Sequence, residues 1–201
     1  MPSFALEPSD VDDIMNNVKK HNALILDLRG NGGGRVDMLS RLLGHFFTED
    51  IKIADRKGRK EMKPEMAKIR GKNPFTGKVV VLIDSNSASA SEIFSRVMQL
   101  EKRGIVIGDQ SAGAVMEAMH FGHQTGIDVI APFGASITIA DLIMKDGKSL
   151  EKIGITPDEK LLPTAQDLAD GGDPVLAKAV DVLGYKLSSK QAGQIFPKNQ
   201  K

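Results

Sequence analysis

The chain has no cysteine and no tryptophan. The first absence excludes disulfides, thiol nucleophiles and thiolate metal sites, and is compatible with either an oxidising or a reducing compartment. The second, with only eight Phe and one Tyr, leaves little material for platforms on which bases stack. Neither sign of charge is in excess: 27 Lys and Arg face 26 Asp and Glu, a net charge of +1. No basic surface for nucleic acid or a membrane is expected from that balance. No apolar run approaches the roughly 18 residues that span a bilayer. Residues 1–8 lack the basic-then-apolar order of a targeting signal. Their abrupt start is expected to belong to a piece of something longer. No His, Asp or Glu spacing reads as a metal site, so neither metal nor cofactor is expected.

What is present is organised around one stretch. An apolar run, Val79-Val80-Val81-Leu82-Ile83, leads into Ser85-Asn86-Ser87-Ala88-Ser89-Ala90-Ser91-Glu92, and a helical pattern with Ile93, Val97 and Leu100 follows. A buried strand thus feeds a turn of small residues, and the turn feeds a helix over about 90–102. A serine there sits where free backbone N–H groups and the helix dipole favour developing negative charge, the setting of acyl transfer. The plain alternative is a serine N-cap.

The rest reads as an α/β layered domain within the 201 residues. Ser9-Asp10 looks like the cap of a helix over residues 10–20, with Val11, Ile14, Met15 and Val18 on one face. Ala23 to Leu28 reads as a strand buried on both faces. A second helix carries Val36, Leu39, Leu42, Leu43 and Phe46, and Ile51 to Ala54 alternates like a strand. Residues 56–76 are rich in Lys and Arg with little apolar periodicity, which fits a solvated loop or exposed hairpin. Gly104 to Gly108 is another buried strand. Alternating segments at 114–121, 126–131 and 135–140 predict hairpins, and Asp146-Gly147 is a hairpin-type pair. Gly154-Ile155-Thr156-Pro157-Asp158 ends regular structure. Asp173-Pro174 opens a last helix that Gly184 closes. Residues 186–201 form a polar tail, expected to be mobile at its end.

Between the first strand and second helix lies Arg29-Gly30-Asn31-Gly32-Gly33-Gly34. It matches neither glycine-rich nucleotide motif, and Asp27 ahead of it would repel phosphate. It can serve as an oxyanion hole through the N–H of Gly32 or Gly33, or as a tight strand-to-helix corner with no chemistry.

Four segments together resemble the serine peptidase family of the carboxyl-terminal processing (tail-specific) proteases, the tricorn core protease and the interphotoreceptor retinoid-binding protein repeats. They are Leu24 to Gly34; Ser87 to Ile93; Val106-Ile107-Gly108 with Ser111-Ala112-Gly113; and Asp146-Gly147 through Glu151 to Gly154-Ile155-Thr156-Pro157-Asp158. They stand in order from residue 24 to residue 158. The resemblance implies the crotonase-like β-β-α superhelical core, one catalytic-core domain over 1–201, and an upstream helical or PDZ-type region not contained in these residues. It also implies a serine endopeptidase that cleaves peptides or unfolded and C-terminal segments through an acyl-enzyme. Its partner is a polypeptide substrate, and a homo-oligomer is compatible with it. By position it makes Ser89 the nucleophile, and Gly32 or Gly33 with Ala90 the oxyanion donors. Glu92 matches a characteristic family glutamate, for which a dipole and capping role is the alternative. Ser111 supports the third segment. Relatives suggest a periplasmic or extracytoplasmic place, which nothing in the chain itself signals.

The base is where the chain departs from that pattern. Ala114 stands where the processing proteases carry the lysine that takes the nucleophile's proton, and Leu100 stands where they carry an aspartate. The tricorn branch uses serine, histidine and glutamate, and Glu151 occupies the glutamate position. Its histidine lies upstream, outside these residues. His120 and His123 are the nearest local substitutes, with an ordinary surface role as the alternative. His21 and His45 read as a helix-end and a packing residue. A non-catalytic module holding an apolar ligand or a partner chain, like the retinoid-binding repeats, is the rival function. A crotonase-type acyl-CoA enzyme shares only the fold.

Overall fold

The computed structural model describes residues 1–126 and 131–196. Helix α1 (Pro8–Val18) starts two residues earlier than its Ser-Asp pair suggests. Pro8 presets the first helical φ, Glu7 takes the cap, and Asp10 accepts the Glu7 N–H at 3.4 Å. Strand β1 (Ala23–Asp27) follows, then α2 (Val36–Leu43), which buries Met38, Leu39, Leu42 and Leu43. Strands β2 (Ile51–Gly58) and β3 (Glu65–Ala67) pair antiparallel, so the basic stretch is a hairpin. Next come β4 (Lys78–Ile83), α3 (Ala90–Leu100), β5 (Ile105–Gly108), β6 (Glu117–Thr125) and β7 (Ala131–Met144). The expected strand at 126–131 falls mostly outside the described residues. Strand β8 (Glu159–Lys160) and helices α4 (Ala165–Ala169), α5 (Pro174–Val182) and α6 (Ser189–Gly193) complete the chain.

The strands form two four-stranded sheets. One is parallel, in the order β1-β4-β5-β8; the other is antiparallel, in the order β3-β2-β7-β6. β4 is central in the parallel sheet and buries five of its six residues. β1 is an edge, and all five of its residues are only half-buried, which corrects the expectation of burial on both faces. An apolar run records burial of its side chains but not the presence of a second neighbour. β8 was not foreseen. The chain resumes pairing two residues after Pro157, with Ile107 opposite Glu159.

The core lies between α1, α2, α3 and the sheets. Phe46 packs edge-on against Phe75 and Phe94, with ring centroids 6.0 and 5.8 Å apart, and Phe4 lies 6.4 Å from Phe94. Arg103 sits 5.7 Å from the Phe46 and Phe75 rings and donates to the carbonyls of Phe46, Phe75 and Gly77. A half-buried guanidinium is tolerated there because its donors are satisfied. On the other face of the parallel sheet, Val80, Leu82 and Ile107 meet Val175, Leu176 and Ala179 of α5 and Ala192 of α6. The polar tail therefore begins as a docked helix, with Ser188 capping Gln191 N–H at 3.2 Å.

Candidate active site

The end of β4 and the end of β1 are neighbours, so the turns that follow these strands meet. Leu28 N–H donates to Leu82 O, Ser87 Oγ donates to Leu28 O, and Ala88 N–H and Ser91 Oγ both donate to Asn31 O. The hydroxyls of Ser87 and Ser91 are thereby spent on backbone, and both residues are fully buried. Ser89 differs. It is half-buried and caps α3 with φ +54° and ψ −119°, its side chain facing the Glu92 N–H in a capping box rather than held by a distant backbone group. That region is essentially glycine territory and costs a side-chain-bearing residue about 1–3 kcal/mol.

What holds the strained residue is visible. Its N–H donates to Ala114 O at 2.9 Å and to Glu92 Oε2 at 3.0 Å. Gly33, at φ +95°, lies against it: a Cβ there would fall 2.6 Å from Ser89 Cβ and 2.9 Å from Ala90 N. The glycine loop is thus shaped to touch the serine turn. Within it, Gly33 N–H is bonded to Asn31 Oδ1 at 2.9 Å. Among the described residues no acceptor takes the N–H of Gly32 or of Ala90, the first residue of α3. Those two donors, with the positive end of α3, are the free hydrogen-bonding groups of the turn.

Glu92 is fully buried, and four donors converge on it: Ser89 N–H, Ser111 Oγ (2.6 Å), Gly113 N–H (2.8 Å) and Ala114 N–H (3.0 Å). It ties the 111–114 segment to the Ser89 turn. Ser111 Oγ in turn accepts Ile155 N–H at 2.6 Å. Gly154, at φ +73°, allows the two chains to cross, since a Cβ there would lie 2.6 Å from Ser111 O. Glu151 Oε2 accepts Val115 N–H at 2.9 Å and Met116 N–H at 3.2 Å, which fixes the segment just beyond Ala114.

The histidines are not brought to this cluster. His120 and His123 lie exposed on β6 and on opposite faces, three residues apart in a strand. His123 stacks on Phe133 at 5.7 Å, and His120 is the cross-strand partner of Ser136. Neither bonds to Ser89 or Glu151 among the described residues. His45 is buried in a different group, with Nε2 2.9 Å from Asp12 Oδ1, and burial pushes its pKa down. Among the described residues no group of three or more His, Asp or Glu is disposed to hold a metal.

Asn31 was not singled out from the sequence, yet it is buried and organises the loop through both its side chain and its carbonyl. The available signal was its place as the one non-glycine residue in Gly30 to Gly34. Arg29 was also overlooked. It pairs with Asp27 at 2.6 Å and with Asp173, the cap of α5, at 2.7 Å. Burial opposes charge on Arg29, and the bonds to the two aspartates outweigh it, raising its pKa.

Residues 1–161 match the model of peptidase family S41. The chain belongs to this family. Its relatives include the carboxy-terminal processing protease CtpB of Bacillus subtilis, 32% identical over 144 residues, covering 69% of this chain and 28% of that protein. The carboxy-terminal-processing protease of Bartonella bacilliformis is 30% identical over 197 residues, covering 91% of this chain and 42% of that protein. The chain thus spans less than half the length of these relatives. Among solved structures, mature CPAF superposes with a TM-score of 0.67 at 17% identity, covering 83% of this chain and 46% of that one, a likeness that bears on fold alone. The mixed α/β core with its two sheets is the fold of S41 proteases, as the resemblance implied. Among the described residues no helix is long and apolar enough to cross a membrane.

Proposed function

We propose that this chain is the core of a serine endopeptidase that cleaves peptides or unfolded and C-terminal segments through an acyl-enzyme at Ser89. The observation that carries the reading is the backbone of Ser89, a strained, half-exposed residue at a helix N-terminus between two serines whose hydroxyls are already used. Strain of this kind persists where the surroundings over-determine it, and it clusters at reacting groups. Ser89 Oγ attacks the scissile carbonyl carbon and its proton passes to a base. The carbonyl oxygen takes the negative charge between the N–H groups of Gly32 and Ala90. Collapse breaks the C–N bond and the amine leaves with a proton. Water then adds to the ester and releases Ser89.

The base in this reading comes from outside the Ser89 contacts described above. Ala114, at the family's lysine position, accepts the Ser89 N–H through its carbonyl and has no side-chain group that could take a proton. Glu151 is bound to the backbone of Val115 and Met116, next to Ala114, with Oε1 unengaged among the described residues, and is the group that would orient a histidine or a water. We further place residues 1–201 in one catalytic-core unit and the protein in a periplasmic or other extracytoplasmic compartment, both on the family resemblance.

The test is hydrolysis of a quenched, unfolded polypeptide by the protein from its native source and by its Ser89→Ala variant. Loss of at least about 10³-fold in rate is expected on removal of the nucleophile. A variant that retains the native rate would overturn the assignment. In the 201-residue chain alone, Ala114→Lys is expected to raise the rate by placing an amine beside Ser89.

A further inference from the structure

β6 and the first nine residues of β7 project as a two-stranded ribbon whose residues are almost all exposed. Its register assigns the faces. Met119 is opposite Ile137, Phe121 opposite Ala135, and His123 opposite Phe133, so these six side chains share one face. His120, Gly122, Gln124, Pro132, Gly134 and Ser136 share the other. The first face carries no Lys, Arg, Asp or Glu, and it is uncovered: Met119 is 48% exposed, Phe121 42%, Phe133 59% and Ile137 51%.

An isolated two-stranded ribbon is marginal in water and needs a partner on its apolar face. Native sheets also protect edges with charge, proline or bulges. β6 is an edge strand, and its residues from Ala118 to Thr125 include no Lys, Arg, Asp, Glu or Pro. We propose that this ribbon is a self-association surface, its apolar face packing on the same face of a second copy of this chain, with the Phe121/Ala135 pair at the two-fold axis.

The chemistry favours a second copy. An uncharged stripe meets no like-charge repulsion when it meets itself, and a chain of net charge +1 does not oppose dimerisation. With the two ribbons antiparallel, Met119 and Ile137 of one copy lie on His123 and Phe133 of the other, a sulfur and aliphatic surface against aromatic rings. Four half-exposed side chains of this size present about 400 Å² per copy, hence about 800 Å² across a dimer before the remainder of the ribbons is counted. That approaches the roughly 1,200 Å² of a small specific interface, the size class of weak, reversible contacts.

The absence of cysteine makes the experiment clean, since a single introduced thiol is the only one present. In the 201-residue chain, mild oxidation is expected to cross-link most of the Ala135→Cys variant and little of Ser136→Cys, one position along on the opposite face. Sedimentation of the unsubstituted chain should show mass doubling between about 1 and 100 µM, and Phe121→Lys should abolish that rise. Circular dichroism and the thermal midpoint of Phe121→Lys check that it is folded; Ile137→Lys is the second variant if it is not. A monomer throughout this range, or equal cross-linking from both faces, would overturn the proposal. Either result points to a different protein or another segment of a longer chain as the cover. Retention of Ser89 reactivity in Phe121→Lys separates this surface from the proposed active site.

Discussion

Replacing Glu92 by glutamine removes almost no volume and tests the hub that holds the Ser89 turn. Oε1 now accepts from Ser111 Oγ and Gly113 N–H, and Oε2 from Ser89 N–H and Ala114 N–H. An amide keeps one oxygen and turns the other position into a donor. If the amide nitrogen faces Ser89 and Ala114, the Ser89 N–H keeps Ala114 O but the Ala114 N–H loses its acceptor. If it faces Ser111 and Gly113, the serine hydroxyl can rotate, but the Gly113 N–H is left unpaired. Either way at least one N–H is orphaned and opposed by a second donor. An orphaned buried group costs about 1–3 kcal/mol, and the loss of charge-assisted bonds adds to it, so Glu92→Gln is expected to destabilise by about 2–4 kcal/mol. At about 2–4 °C per kcal/mol for a chain of this size, the thermal midpoint falls by about 5–15 °C. The assay is thermal unfolding followed by circular dichroism, with probe labelling of Ser89 measured well below the midpoint. A midpoint within a degree of the unsubstituted protein would refute the reasoning.

Gly33→Ala places a methyl group 2.6 Å from Ser89 Cβ at φ +95°, and is expected to cost about 2–5 kcal/mol, whereas Gly32→Ala meets no atom within 4 Å and should unfold like the parent in the same denaturation assay. Arg29→Ala leaves Asp27 and Asp173 facing each other without their shared cation; destabilisation of about 3–5 kcal/mol and faster proteolysis around residues 163–173, where α5 is released, are expected. Hydrogen bonding to Arg41, opposed by burial and helped by His45, lowers the Asp12 pKa from 3.8 to about 2. A carboxyl whose folded pKa is depressed stabilises the fold above its unfolded value, and that contribution is lost as pH falls from about 4 to about 2. Asp12 is a third exposed, so Asp12→Asn should cost about 1 kcal/mol at pH 6 and converge with the parent near pH 2 in acid unfolding curves.

The β4–turn–α3 unit was legible in the sequence because its signals are local: an apolar run, a cluster of small residues, then apolar side chains at helical spacing. The glycine loop was legible for the same reason. What could not be read is what depends on distant pairing. Glu92 meets partners 19 to 22 residues away, and nothing in Ser91-Glu92-Ile93 distinguishes such a hub from an ordinary capping glutamate. β8 pairs two residues with a strand 52 positions earlier. Continuity of the apolar run in β1 could not separate an edge from a centre. The choice among Ser87, Ser89 and Ser91 required the resemblance at first, and burial of the outer two then distinguishes them independently. One point was available and not used: His120 and His123 stand three apart in a strand, so they cannot both face the same partner.

The most direct test of the account is reaction of the native-source protein with a fluorophosphonate, followed by digestion and fragment-ion mapping of the peptide between Lys78 and Arg96, which contains every serine of the turn. The account predicts one adduct, on Ser89, that disappears in Ser89→Ala while Ser87→Ala retains it. An adduct on Ser87 or Ser91, or no adduct in a protein shown to be folded, would contradict it.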